Sequence, residues 1–154
     1  HPRVRRQRQM CIRDRITCLS PENQEMGSNE GSQALYIEME ECALLFTGDI
    51  EGEGEEDMIS LCENAEKRCD ILKVAHHGSK NSTPDKLLDV LQPQAAVISC
   101  GKENMYGHPH KELIDRLNDR KIEIYETKEQ GAVSAIWDGE KIRMTFQYEK
   151  SVIE

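Results

Sequence analysis

The sequence predicts an α/β fold, a mixed sheet with flanking helices. Short apolar runs at residues 42–46, 71–75 and 95–99 have strand length and read as strands buried on both faces. Segments with apolar residues at helical spacing separate them. Near the C-terminal end, residues 132–137 and 141–146 flank Asp138-Gly139, the signal of a tight type I′ hairpin.

Taken in chain order, residues 16–32 read as loop, punctuated by Ser20-Pro21 and Gly27-Ser28-Asn29. Residues 33–39 alternate, with Leu35, Ile37 and Met39 on one face, which predicts a half-buried strand; Glu40-Glu41 turns it into the run 42–46. Residues 52–57 are acidic and glycine-rich and lead into a helix over 55–65, whose stripe is Met58, Ile59, Leu61 and Cys62. After the strand at 71–75, Thr83-Pro84-Asp85 combines a hydroxyl N-cap, a proline at the first helical position and an acid in the first turn. That helix runs to about residue 91, with Leu87, Leu88 and Leu91 inward, and stops before Pro93. His108-Pro109 opens a further helix carrying Leu113, Ile114 and Leu117, and residues 122–125 form a short strand. The expected core is Leu35, Ile37, Leu44, Leu45, Ile71, Val74, Val97, Ile98, Leu113, Leu117, Val133 and Ile136.

The chain has 154 residues, enough for one domain or a large part of one, and its hydrophobic content of 37% suits a modest core. No stretch approaches the roughly 18–20 apolar residues that span a bilayer, and no apolar leader is readable at the N-terminus. The net charge of −9 is unevenly spread. Residues 1–15 hold six arginines against Asp14, a net of +5, which leaves −14 on the rest. A basic arm for nucleic acid is one reading of that opening. The preferred one is a non-native or disordered segment: HPRVRRQRQMCIRDR lacks apolar periodicity, breaks abruptly at Ile16, and MCIRDR resembles translated adapter sequence. Residues 16–148 are then a partial domain and 149–154 a tail. None of the six cysteines sits in a C-x-x-C pair, which disfavours a zinc ribbon or a thioredoxin-like motif. The Cys62–Cys69 spacing permits a disulfide without requiring one.

Three motifs follow directly on buried strands, where α/β folds expose functional groups. Thr47-Gly48-Asp49 turns sharply at its glycine and delivers a carboxylate to the strand tip; a turn aspartate capping local N–H groups has the same signature. His76-His77-Gly78-Ser79 places two imidazoles at a strand end, one to ligate a metal and the other to face substrate or a second acid; a solvated pair is the alternative. Ser79, Ser82 and Thr83 then lead into a helix N-terminus suited to phosphate. Asn104-Met105-Tyr106-Gly107-His108-Pro109-His110 ends at another helix start, where His108 reads as proton donor or phosphate ligand, or simply as an N-cap, and His110 as an exposed polar residue.

Together the strings LLFTGDIEGEGEE, DILKVAHHGSKNST and VISCGKENMYGHPHKELIDRL resemble the metallo-β-lactamase superfamily, and within it the ComEC-like competence family. The N-x-YGHP block narrows the likeness, which also takes in Asn29, Ser32, Leu35 and Gly131-Ala132-Val133 and covers roughly residues 19–146. The resemblance implies the C-terminal half of an αββα sandwich. It implies a bridging metal ligand at Asp49 and another at His76 or His77, two Zn²⁺ in the complete domain or Mn²⁺ instead, and catalytic roles among His76, His77 and His108. It implies substrate contacts at Ser79, Ser82, Thr83, Asn104, Tyr106 and His108. The implied partners are DNA, handled by a nuclease-like hydrolase during uptake, and the upstream half of the same domain. The implied place is a soluble domain of a plasma-membrane protein.

Two features depart from that pattern. The H-x-H-x-D-H motif that supplies most ligands in the superfamily is absent, the only earlier histidine being His1, so this polypeptide alone is expected to be inactive. A body of −14 also repels a polyanion, with Lys73, Lys80 and Lys102 the only lysines close to the motifs. A stand-alone hydrolase of another small ester or phosphoester, and a non-catalytic scaffold, are the competing readings.

Overall fold

The computed structural model describes residues 14–20, 28–39, 42–138 and 140–147. Six strands form one mixed sheet in the order β1-β2-β3-β4-β5-β6: β1 (Arg15–Ser20), β2 (Ala34–Met39), β3 (Cys42–Phe46), β4 (Ile71–Lys73), β5 (Ala95–Ile98) and β6 (Glu123–Glu126). The first three pair antiparallel; β3 through β6 run parallel, joined by crossover helices α1 (Gly52–Asn64), α2 (Asp85–Leu91) and α3 (Lys111–Asp119). A one-turn helix, α4 (Thr127–Gln130), follows β6, and β7 (Val133–Trp137) pairs with β8 (Ile142–Phe146) as a separate antiparallel hairpin.

This is the expected mixed sheet with flanking helices. Residues 16–32, read as loop, contain a strand and a 3₁₀ turn at Ser28–Gly31 instead. β1 escapes a periodicity reading because its outer alternates, Ile16 and Cys18, are exposed on an edge strand and lack a clean pattern. Helix α1 starts three residues early, absorbing the acidic glycine-rich stretch. Gly54 is what allows it, since a Cβ there would collide with the carbonyl of Glu30 in the 3₁₀ turn. The helix after Thr83 begins at Asp85 with Pro84 as the flanking residue and no side-chain cap, because the Thr83 hydroxyl is engaged elsewhere. The helix after His108 begins at Lys111 with His110 flanking it. The Glu40-Glu41 turn and Gly139 lie outside the described residues; Asp138 closes its side of the hairpin by accepting the N–H groups of Glu140 and Lys141, each at 3.1 Å.

Helices α1–α3 bury their apolar stripes against one face of the sheet. Met58, Ile59, Leu87, Leu91, Leu113 and Leu117 meet Tyr36, Leu45, Leu72, Ala96 and Ile98 in one cluster. On β2 the face turned to the helices is the reverse of the expected one, whereas β3, read as buried on both faces, holds Leu45 in the core as expected and leaves part of its other face open. Ala34 and Tyr36 point into the helices, while Leu35, Ile37, Leu44 and Val97 on the opposite face are half-buried and Phe46 is exposed. Tyr36 is tolerated inside because its hydroxyl donates to the Arg68 carbonyl and its ring packs under the Lys67 ammonium, 4.0 Å away. The hairpin covers part of the second face: Tyr125 stacks on Phe146 at 5.2 Å, and Ile142 and Met144 line a cleft with Ile71 and Ala95. Val133 is half-buried and Ile136 is 51% exposed, so neither belongs to the core. Cys62 and Cys69 are buried free thiols.

Leu45 sits at the centre of the sheet with no exposed surface. Leu45→Ala is expected to cost about 2–5 kcal/mol, read as a lower denaturant midpoint at unchanged slope in an equilibrium unfolding curve.

Candidate functional site

Parallel register brings the motifs together. Phe46 pairs with Lys73 and Lys73 with Val97, so β3, β4 and β5 end at one edge of the sheet. At the end of β3, buried Thr47 donates its hydroxyl to the Lys73 carbonyl at 2.7 Å, tying that turn to β4. Gly48 follows at φ +58 and its carbonyl accepts the His76 N–H at 3.1 Å. The turn thus delivers Asp49 toward the histidines.

The backbone of the histidine segment is unusual. His76 (φ 45, ψ 49), His77 (φ 54, ψ 17) and Gly78 (φ 91) are three successive left-handed residues. For the two histidines this costs about 1–3 kcal/mol each. Surrounding bonds hold the turn. The Ala75 N–H donates to Thr83 Oγ1 (3.3 Å) and Ser82 Oγ donates to the Ala75 carbonyl (3.2 Å). The Ser79 N–H donates to the His76 carbonyl (3.0 Å) and the His110 N–H to the Gly78 carbonyl (2.9 Å). Gly78 is required twice over: its φ is positive, and a Cβ would sit 2.6 Å from Cβ of Pro109.

The turn sends the two imidazoles to different tasks. His77 Nδ1 lies 2.7 Å from the Ser99 carbonyl oxygen. A carbonyl only accepts, so Nδ1 carries a proton, and in the neutral ring the lone pair is then on Nε2. That Nε2 faces Asp49 Oδ1 at 3.7 Å, with both side chains about half exposed. Donors on one tetrahedral zinc stand roughly 3.3 Å apart, so the pair is close to the spacing that one cation requires. An N–H to carbonyl contact behind a ligating imidazole is also the usual orienting arrangement. Elsewhere, His76 Nδ1 contacts Glu51 Oε2 at 3.1 Å, and Asn29 Nδ2 donates to Glu51 Oε1 at 2.9 Å. The Asn29 bond, with His76, holds the Glu51 carboxyl below the usual range. Among the described residues no group of three His, Cys, Asp or Glu side chains is placed to hold a metal ion.

The third loop flanks this pair. Asn104, expected at the substrate, is committed to the loop itself: its Nδ2 donates to the carbonyls of Gly101 and His108, and its Oδ1 accepts the His108 N–H at 2.7 Å. His108 is brought within 5.7 Å of the His76 ring and 4.7 Å of His110, centroid to centroid. Burial, then the neighbouring His110, His76 and His77, lowers its pKa. His110 Nδ1 accepts the Lys80 N–H at 3.1 Å, so this residue braces the loop as well. Tyr106 stacks over His108 at 5.8 Å with its other face in solvent, and a cleft of about 300 Å³ opens between Tyr106, His108, His77 and Gly101.

Ser79, Ser82 and Thr83 were expected to meet phosphate. All three are buried, and their hydroxyls are bonded to backbone: Ser79 Oγ accepts the Asn81 N–H, and the other two grip Ala75. Two acids went unnoticed in the sequence. Glu51 follows Asp49 by two residues, a spacing that could have flagged it. Glu55, on α1, is 3% exposed and accepts the Thr83 N–H at 2.7 Å; burial pushes its carboxyl up to about 7. The helical period could have flagged Glu55, which lies three, four and seven residues before Met58, Ile59 and Cys62 on the buried stripe of α1. Lys73 lies between burial, which lowers its pKa, and Asp49, which raises it.

The mixed sheet with crossover helices thus brings an Asp–His pair together at aligned strand tips. Residues 22–102 match the Metallo-beta-lactamase superfamily, and the chain belongs to it. It is similar to ComE operon protein 3 of Bacillus subtilis, 39% identical over 116 residues, which is 75% of this chain and 15% of that protein. Recombination protein 2 of Haemophilus influenzae is 33% identical over 75% of this chain and 14% of its own length. Competence protein ComA of Neisseria gonorrhoeae is 30% identical over 73% of this chain and 16% of its own. The chain therefore spans only about a seventh of these relatives. No helix among the described residues is long and apolar enough to cross a membrane.

The raised Glu55 carboxyl sets a pH dependence. Its stabilising contribution is complete below its ordinary value of 4.5 and is lost as pH rises through about 7, because the buried charge is then forced to form. Glu55→Gln keeps the acceptor without the charge. Its advantage over the parent chain is expected to grow from about pH 5 to pH 8, approaching about 3 kcal/mol. Thermal melts at both pH values check this, and a constant difference would contradict it.

Proposed function

We propose that this chain is the C-terminal part of a metal-dependent phosphodiesterase module in a ComEC-type DNA-uptake protein, with Asp49 and His77 as ligands of one divalent cation. The observation that carries the reading is the 3.7 Å approach of His77 Nε2 to Asp49 Oδ1, with the opposite ring nitrogen held by Ser99. A carboxylate and an imidazole suit Zn²⁺ or Mn²⁺. The remaining ligands, and the second cation, would be held by an H-x-H-x-D-H-type segment preceding this one, so the chain alone is expected to bind metal weakly and to be inactive. The half-buried apolar alternates Leu35, Ile37, Leu44 and Val97 support a preceding half that packs on this side of the sheet.

When bound, such cations polarise a phosphodiester oxygen and supply hydroxide near neutral pH. The chain's own residues do the rest. Asp49 and His77 position the cation beside the strand tips. His108, whose pKa is lowered by burial and by the neighbouring histidines, offers a ring N–H to a phosphate oxygen. His76, oriented by Glu51 and Asn29, stands ready to move a proton. Tyr106 lines the approach. Two of the similar proteins carry names that speak of recombination and competence, which supports DNA as substrate; the membrane-associated parent rests on the ComEC-type resemblance alone. The charge of −14 outside residues 1–15 supports a second reading, a small phosphoester as substrate.

In a longer polypeptide carrying the preceding segment, Asp49→Ala and His77→Ala are each expected to abolish chelator-sensitive cleavage and to lower bound metal by elemental analysis. His76→Ala should slow cleavage while metal content persists. Full activity in both ligand variants ends the proposal. Cleavage of a p-nitrophenyl phosphodiester without cleavage of oligonucleotides selects the second reading.

A further inference from the structure

We propose that Glu55 is a positioning residue whose carboxylate, on α1, holds the loop that grips Ala75 and so sets the direction of the two histidines. The proposal rests on the reading of His77 as a metal ligand. On α1, Glu53, Glu56 and Asp57 are exposed, yet Glu55 is turned inward and almost completely buried. A lone carboxylate is not placed there by solvation or by apolar packing. What it meets is the N–H of Thr83, 2.7 Å away. Thr83 is left-handed at φ 54, a rare state for a β-branched residue, so something must hold it there. From that backbone its Oγ1 reaches the Ala75 N–H, while Ser82 Oγ takes the Ala75 carbonyl. Ala75 leads directly into His76 and His77. From the other side, Arg116 of α3 donates to the carbonyls of Lys80 (3.0 Å) and Ser82 (3.3 Å). The loop is thus braced by two helices, and Glu55 supplies the bond at the residue that touches Ala75. Without it the Thr83 N–H is buried with no partner. The relief is for Thr83 to leave the left-handed region, which releases Ala75 and lets His77 drift from Ser99.

The carboxyl is readily neutralised at its raised pKa, and either protonation state offers an oxygen to Thr83, so a glutamine replaces it. The test is long-range proton–nitrogen NMR of the ¹⁵N-labelled 154-residue chain, which distinguishes protonated Nδ1 from free Nε2 on His77, together with titration by Zn²⁺ alone. The parent chain should show the two nitrogens as distinct. Glu55→Ala should average them and weaken Zn²⁺ binding by about ten- to a hundredfold, as loss of an orienting contact does. Glu55→Gln should restore both. Ile59→Ala, a buried residue on the same helix, controls for mere destabilisation and should leave the His77 nitrogens distinct. The proposal is overturned if Glu55→Ala keeps the distinction and the affinity, or if Ile59→Ala loses them equally. If the parent chain binds Zn²⁺ too weakly to titrate, the nitrogen pattern alone decides the positioning role, and the ligand reading stands or falls with Asp49→Ala and His77→Ala in the longer polypeptide.

Discussion

Everything at the site depends on the parallel register of β3, β4 and β5. Parallel strands linked by crossover helices end on the same side, and here Phe46, Lys73 and Val97 lie side by side. Segments separated by tens of residues then become neighbours over a few ångströms. The Thr47 hydroxyl on the Lys73 carbonyl and the His76 N–H on the Gly48 carbonyl convert that proximity into a fixed geometry between two turns. The crossovers are anchored by one apolar cluster on the helical face, so the register is as secure as the core beneath it.

The polar residues near the histidines divide into those that hold the backbone and those that are free for chemistry. Three consecutive left-handed residues are not a conformation that a chain adopts unaided, and the bonds around Ala75, Gly78 and His110 show how it is held. Ser79, Ser82, Thr83, Asn104 and His110 belong to that scaffold. His77 Nε2, Asp49, His108 and Tyr106 are the groups left facing the open side. A strained turn serves here because the left-handed pair points one imidazole at Asp49 and the other at Glu51.

The sheet has two unlike faces. The helical face is filled, whereas on the other the hairpin covers only the part near Ile71, Ala95 and Tyr125. The larger alternates Leu35 and Ile37 lie on this second face and the smaller Ala34 with Tyr36 on the first. The apolar alternation of Leu35, Ile37 and Met39 put that face in the core, since alternation defines two faces without saying which one meets the helices. Tyr36 goes inside because a polar hydroxyl with a carbonyl partner is not penalised there.

By itself the sequence determined the order of the strands and the three crossover helices from β2 onward, though not the one-turn α4, together with the α/β class and the three motifs, because these are written in local periodicity, turn residues and side-chain chemistry. It could place Asp49 and the two histidines at strand ends and His108 ahead of a helix, since strand and helix ends are local properties. Which side chains faced each other was decided only in three dimensions. His77 rather than His76 meets Asp49 because of the Ser99 carbonyl, twenty-two residues away. Ser82 and Thr83 look like surface groups in one dimension and are buried because α1 packs over their loop, where Glu55 meets Thr83. Those outcomes rest on contacts between distant segments, for which a linear pattern carries no signal.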